Sequence, residues 1–142
     1  MRKFTGAFER VSRSEEEPVM EWSMERELTF ARLAVDIRKI GADYCIELHG
    51  GDRPHIGSVV LSIPRPSLTG NGETGVTSSV LNVTGHKDEQ ICRYLAEEIA
   101  RYTGAVVMCA GGFHVNGITK EQINEVLSCV EDICCEIKEI LK

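Results

Sequence analysis

The chain has 142 residues, of which 42% are hydrophobic and 27% charged, with a formal net charge of -6 and a pI near 5.2. This composition excludes a wholly disordered or fibrous protein, and a chain of this size buries roughly 70% of its unfolded surface as one domain, so no second domain is required. The acidic balance excludes broad binding to nucleic-acid phosphates, and no apolar run approaches the roughly 18 residues of a membrane span.

Residues 1–24 show no clean periodicity, and Ser14-Glu15-Glu16-Glu17-Pro18 is charged and then broken by proline. They are expected to form a loosely ordered N-terminal extension to a single domain over residues 25–142, with Trp22 pinning its end. Met1-Arg2-Lys3-Phe4 is not followed by the apolar stretch of a secretion signal, and the expected location is the cytoplasm. Residues 25–39 alternate, with Thr29, Ala31, Leu33, Val35 and Ile37 on one face, which predicts one long strand, although residues 25–35 alone also fit a helix. The turn signal Gly41-Ala42-Asp43 leads to a second strand over residues 44–48, closed by His49.

Residues 57–63 are rich in β-formers and stop at Pro64. Residues 66–75 are too rich in turn formers for a regular element and predict a flap or insertion. A strand over residues 78–83 runs into Thr84-Gly85-His86-Lys87-Asp88 and opens a helix with Ile91, Leu95, Ile99 and Tyr102 at helical spacing, ended by Gly104. The apolar residues 105–110 predict a central strand buried on both faces. Thr119-Lys120-Glu121-Gln122 is a capping box, flanked by the staple pair Ile118 and Ile123, and it opens a helix whose apolar face runs to Leu141. The order β-β-β-β-α-β-α predicts an α+β fold, a mostly antiparallel sheet with two helices on one face. One uncovered face in so small a chain predicts a homodimer or larger assembly.

Cys45, Cys92, Cys109, Cys129, Cys134 and Cys135 sit mostly at positions that their surroundings make apolar, and none forms a C-x-x-C pair. Free core thiols follow, with no zinc knuckle. Cys134 and Cys135 point about 100° apart on a helix, one to the core and one to a rim.

All four histidines sit beside glycines: His49-Gly50-Gly51, Pro54-His55-Ile56-Gly57, Gly85-His86-Lys87 and Gly111-Gly112-Phe113-His114. Such joints let backbone amides approach a ligand, so they read as a binding site carried on loops. Gly85-His86-Lys87 at a helix start combines orphan amides, the positive helix end and an ammonium, which suits a phosphate or carboxylate. The alternative is an ordinary helix start with Thr84 or Asp88 satisfying the amides. His49, Asp52 and His55 are a possible metal cluster without supporting spacing. Gly57-Ser58 does not make a nucleophile elbow. The joints together suggest a pocket for a small, anionic, partly flat ligand, with Phe113 and the imidazoles stacking or hydrogen-bonding.

The phrases His49-Gly50-Gly51-Asp52-Arg53-Pro54-His55-Ile56-Gly57, Gly85-His86-Lys87-Asp88 and Gly112-Phe113-His114-Val115-Asn116-Gly117-Ile118, ahead of a capped terminal helix, resemble the small D-subunit family of gallate and hydroxyarylic acid decarboxylases. These proteins are also described as prenylated flavin chaperones. The resemblance covers about residues 28–140 and implies a fold similar to proteasome-assembly chaperones. It also implies a dimer that helps deliver prenylated FMN, or FMN, to a UbiD-type decarboxylase, with a flavin prenyltransferase as a further partner. Carried over residue by residue, it marks His55, Gly57, His86, Lys87, Asp88 and His114 as ligand-facing. A non-catalytic cofactor carrier is then expected. The alternatives are a small catalytic decarboxylase subunit with a histidine base and a protein-only assembly factor.

Overall fold

The computed structural model describes residues 20–83 and 88–142. Its elements are β1 (Glu21–Glu27), β2 (Arg32–Ile40), β3 (Asp43–Gly51), β4 (Ser58–Pro66), β5 (Thr74–Asn82), α1 (Glu89–Thr103), β6 (Val107–His114) and α2 (Lys120–Ile140). The strands form one sheet in the order β1-β2-β3-β6-β4-β5, antiparallel throughout except for the β3–β6 pair. This is the expected α+β class, with helices on one face, but five strands precede α1 instead of four.

The difference lies at the start. The expected single strand over residues 25–39 is two strands, because the chain reverses between Glu27 and Arg32, and β1 begins at Glu21, inside the stretch without periodicity. No glycine or proline marks this reversal. It is closed by Leu28 N–H donating to the Ala31 carbonyl at 2.7 Å. It is also gripped from α2, whose Glu125 carboxylate accepts from the Thr29 amide at 2.7 Å and the Thr29 hydroxyl at 2.6 Å. A tertiary contact, not turn chemistry, sets the corner.

Rows of partnered residues run across the sheet and separate its two faces. Trp22, Ile37, Ile46, Cys109, Val60 and Val80 form one row of the helix-covered face. The core lies between this face and the helices, with Leu95 and Ile99 of α1 and Val130, Ile133 and Ile137 of α2 fully or nearly buried against it. On the opposite face, Ser23, Asp36, Glu47, Ala110, Val59 and Leu81 form one row, and Arg38, Cys45, Met108 and Leu61 lie in the next. That face carries no helix among the described residues. β6 is therefore central but not buried on both faces: Val107 and Cys109 are covered, while Met108 and Ala110 are half-buried. Both sets are apolar, which is why the periodicity of 105–110 reads as continuous.

β4 continues past the expected stop, through Pro64 to Pro66, and pairs with β5 from Ser58↔Asn82 to Pro66↔Thr74. Its pairing with β6 ends at Ser62. Beyond that point one edge of β4 has no described partner strand, so the missing proline N–H groups interrupt no ladder. Most of the expected 66–75 insertion is thus a hairpin tip.

α2 begins with the capping box: Gln122 N–H donates to Thr119 Oγ1 at 3.1 Å, and Thr119 N–H donates to Gln122 Oε1 at 2.9 Å. Gly104 ends α1 in a left-handed conformation, with φ 70°. The cysteines are free thiols; Cys92, Cys109 and Cys134 are buried and Cys135 exposed. Burial pushes the Cys134 thiol up to about 11.

Candidate functional site

Two of the expected joints are strand, not loop. His49, Gly50 and Gly51 belong to β3, and Gly111, Gly112, Phe113 and His114 belong to β6, paired from Leu48↔Gly111 to Gly51↔His114. Glycine here permits close packing. Gly111 has φ 153°, and a Cβ on it would land on the Leu48 carbonyl, so only glycine fits between β3 and β4. The candidate site residues are accordingly carried on strand ends as well as on the loop before β4.

Asp88 is the N-cap residue of α1, yet its side chain makes no capping hydrogen bond. Its Oδ1 instead accepts from the Phe113 amide at 2.8 Å, and its Oδ2 lies 3.0 Å from His55 Nε2. The other ring nitrogen, Nδ1, lies 2.9 Å from the Arg53 carbonyl oxygen and therefore donates to it. With one proton between Nε2 and Oδ2, both ring contacts are hydrogen bonds. The pair is largely sequestered, with side-chain exposures of 20% for His55 and 7% for Asp88. A Cβ on Gly57 would fall on Asp88 Oδ2, and one on Gly112 would come within 2.6 Å of the His55 ring. The two glycines are thus the space the bracket needs.

His114 stands edge-on to His55 with ring centroids 6.3 Å apart, and its Nε2 donates to Asn116 Oδ1 at 2.9 Å, which leaves Nδ1 with a lone pair. Phe113 packs edge-on against Phe30 at 6.0 Å. Beside these groups opens a cleft of about 420 Å³ between the start of α1, the end of β6 and the first turns of α2. Asp88, Gln90 and His114 line one part, while Phe113, Ile118, Ile123 and Leu127 give it an apolar wall. A second cavity, of about 520 Å³, lies across the sheet beneath His55, with His49, Ile56 and Met108 in its lining.

Of the expected ligand-facing set, the fold brings together His55, Gly57, Asp88 and His114. Gly85, His86 and Lys87, with the expected anion site, lie outside the described residues. His49 turns instead toward Asp36, 3.7 Å away, and Arg53 is exposed. The possible His49-Asp52-His55 cluster is not assembled, and among the described residues no three histidine, cysteine or acidic side chains converge as metal ligands. The expectation missed Gly112 as the floor under His55, although the paired glycines at 111–112 signal a close approach. It also took the apolar wall of the cleft for core.

The fold places the chain among proteins built like proteasome-assembly chaperones. It is similar to a chain of a crystallised chaperone complex for yeast 20S proteasome assembly, with a TM-score of 0.60 over 87% of this chain and 98% of that one, at 14% identity. Residues 29–142 match the prenylated flavin chaperone LpdD-like domain, and the chain belongs to that family. It is 31% identical over 110 residues to Protein LpdD of Lactiplantibacillus plantarum, covering 71% of each chain. Membership supports a flavin-related chaperone role. No helix among the described residues is long and apolar enough to cross a membrane.

Proposed function

We propose that the protein binds prenylated FMN, or FMN, as cargo in the 420 Å³ cleft and passes it to a UbiD-type decarboxylase without itself catalysing a reaction. The cleft is of ligand size and joins an apolar wall to a polar end. At that end α1 begins with its N-cap carboxylate committed to Phe113 and His55, so the positive end of the helix faces the cleft without that side chain's capping bond. His86 and Lys87 immediately precede Asp88 in the sequence, and the expectation of a phosphate site at Gly85-His86-Lys87 is retained as part of this proposal.

The observation that best supports the carrier reading is the commitment of His55, a largely sequestered ring and one of the two histidines brought together at the site. A ring that donates from Nδ1 to a carbonyl and meets a carboxyl group at Nε2 has no lone pair to take a proton from substrate, which disfavours it as a general base. His55, Gly57 and Asp88 then shape the site, and His114 faces the ligand.

Pairing with a second copy through the uncovered sheet face completes the reading. Leu61, Ile63 and Leu81 remain 39%, 46% and 75% exposed there. The six free thiols suit a reducing, cytoplasmic setting.

The test is co-expression with a flavin prenyltransferase, followed by an absorbance spectrum of the purified protein and transfer to a cofactor-free UbiD-type decarboxylase. Co-purified flavin and restored decarboxylase activity are expected. Turnover of a hydroxyarylic acid by the isolated chain would overturn the carrier reading in favour of a catalytic subunit, and absence of any flavin would favour a protein-only assembly factor.

A further inference from the structure

We propose, resting on the flavin reading above, that the wall formed by Ile118, Ile123 and Leu127 is the selectivity element of the cleft. It takes up the branched isoprenoid carbons that distinguish a prenylated flavin from FMN.

The argument starts from a surplus of apolar residues on α2. Its sheet-facing stripe is supplied by Val126, Val130, Ile133 and Ile137, all buried. Ile123 lies outside that core and is 42% exposed, and Leu127 is only half-buried. Together with Ile118, just before the N-cap, they line the same cleft as Asp88, Gln90 and His114. Apolar side chains left in contact with water at a concave site gain in proportion to the apolar area a ligand covers. A ribityl chain and phosphate gain nothing from such a wall. The hydrocarbon ring that prenylation adds does.

The wall is also held in place before any ligand arrives. Ile118 and Ile123 flank the Thr119–Gln122 capping box, whose two reciprocal hydrogen bonds fix the first turn of α2 and the chain entering it. A surface fixed in this way discriminates by shape, because it does not close around a smaller ligand at low cost. The polar end suits the ribityl phosphate that the two flavins share, and the wall reads the hydrocarbon that only one of them carries.

Anaerobic titrations of the full chain with prenylated FMN and with FMN, read by flavin fluorescence, test this on Ile118→Ala, Ile123→Ala and the double variant. Ile123→Val is the conservative control, and near-UV circular dichroism checks the fold. The double variant should lose roughly ten- to fiftyfold in affinity for prenylated FMN and less than about twofold for FMN, with Ile123→Val close to the parent. Equal losses for both ligands, or no loss for either, would overturn the selectivity role while leaving a flavin site in place. A parent that binds neither flavin would overturn the cargo reading itself, and this inference with it.

Discussion

Asp88 and His55, 33 positions apart in sequence, meet at 3.0 Å where the helix layer begins beside the end of β6. The same carboxylate receives the Phe113 amide, so one side chain ties together the loop before β4, the central strand and the N-cap of α1. A buried carboxylate with several partners is costly to remove, because each partner is left desolvated. Asp88→Ala should therefore lower stability by about 2–4 kcal/mol. Asp88→Asn keeps an acceptor for Phe113 and should cost about half as much. Urea denaturation of the three proteins checks the order. Equal costs would show that the Phe113 bond contributes little.

The sheet contains a buried serine pair that behaves as opposite cases. Ser62 Oγ is 2.8 Å from Ser78 Oγ, which donates onward to Glu97 at 2.9 Å. Ser58 Oγ, also buried, has no hydrogen-bond partner among the described residues. Removing a hydroxyl that already bears its desolvation unrewarded relieves a penalty, while removing a bonded one strands its partner. Ser58→Ala should be neutral or stabilising by up to about 1 kcal/mol, and Ser62→Ala should destabilise by about 1 kcal/mol. Thermal melts suffice to read both signs.

These features differ in how far the sequence discloses them. The alternation of Leu33, Val35 and Ile37, and the Thr119–Gln122 box, are local patterns, and the fold reproduces them because nothing distant overrides them. The corner between β1 and β2 is invisible locally, since its anchor, Glu125, lies 96 positions away from Thr29. The glycines at 57, 111 and 112 are visible as residues but not as roles. They read as flexible joints, whereas pairing of β6 with β3 and β4 turns them into points of close approach. His55 and Asp88 enter one site only through a shared family pattern, because neither spacing nor periodicity links a loop before β4 to a helix that follows β5. The apolar wall at Ile118 and Ile123 has the same pattern as core, and only exposure distinguishes the two.

The helices are joined by Lys138, whose ammonium donates to Glu98 at 2.9 Å. That hydrogen bond, helped by the charges of Lys138 and Arg101 and opposed by burial, holds the Glu98 carboxyl below its ordinary value of 4.5. A carboxyl lowered in the folded state stabilises fully above its unfolded value, and the contribution is lost as pH falls through the lowered folded value. Both side chains are about 30% exposed, so solvent screening leaves roughly 0.5–1 kcal/mol. Glu98→Gln should be less stable than the parent by that amount at neutral pH, and the difference should shrink steadily below the ordinary carboxyl value. Urea titrations over the acidic range would reveal it. A difference independent of pH would mean that packing, not charge, accounts for the loss.

The uncovered face of the sheet yields the last prediction. Across it the polar strands β1 to β3 carry locally matched groups, with Ser23 donating to Asp36 at 2.5 Å and Arg38 paired with Glu21 at 2.7 Å. The other half presents Val59, Leu61, Ile63, Leu81 and Met108. A two-fold axis through the apolar half sets like against like, the arrangement an isologous interface requires, without burying those matched charges unpaired. The parent should run as a dimer in light scattering across the micromolar range. Leu61→Arg places a cation at the centre of the apolar half, on a residue that contributes nothing to the helix-side core. It should give a folded monomer, weakening association by about 3 kcal/mol or more per dimer, since the symmetry buries two such charges. Bound flavin should survive in that monomer, because the proposed cleft opens on the helix side. A parent that is monomeric throughout, or a Leu61→Arg variant that remains dimeric, would move the interface off this face.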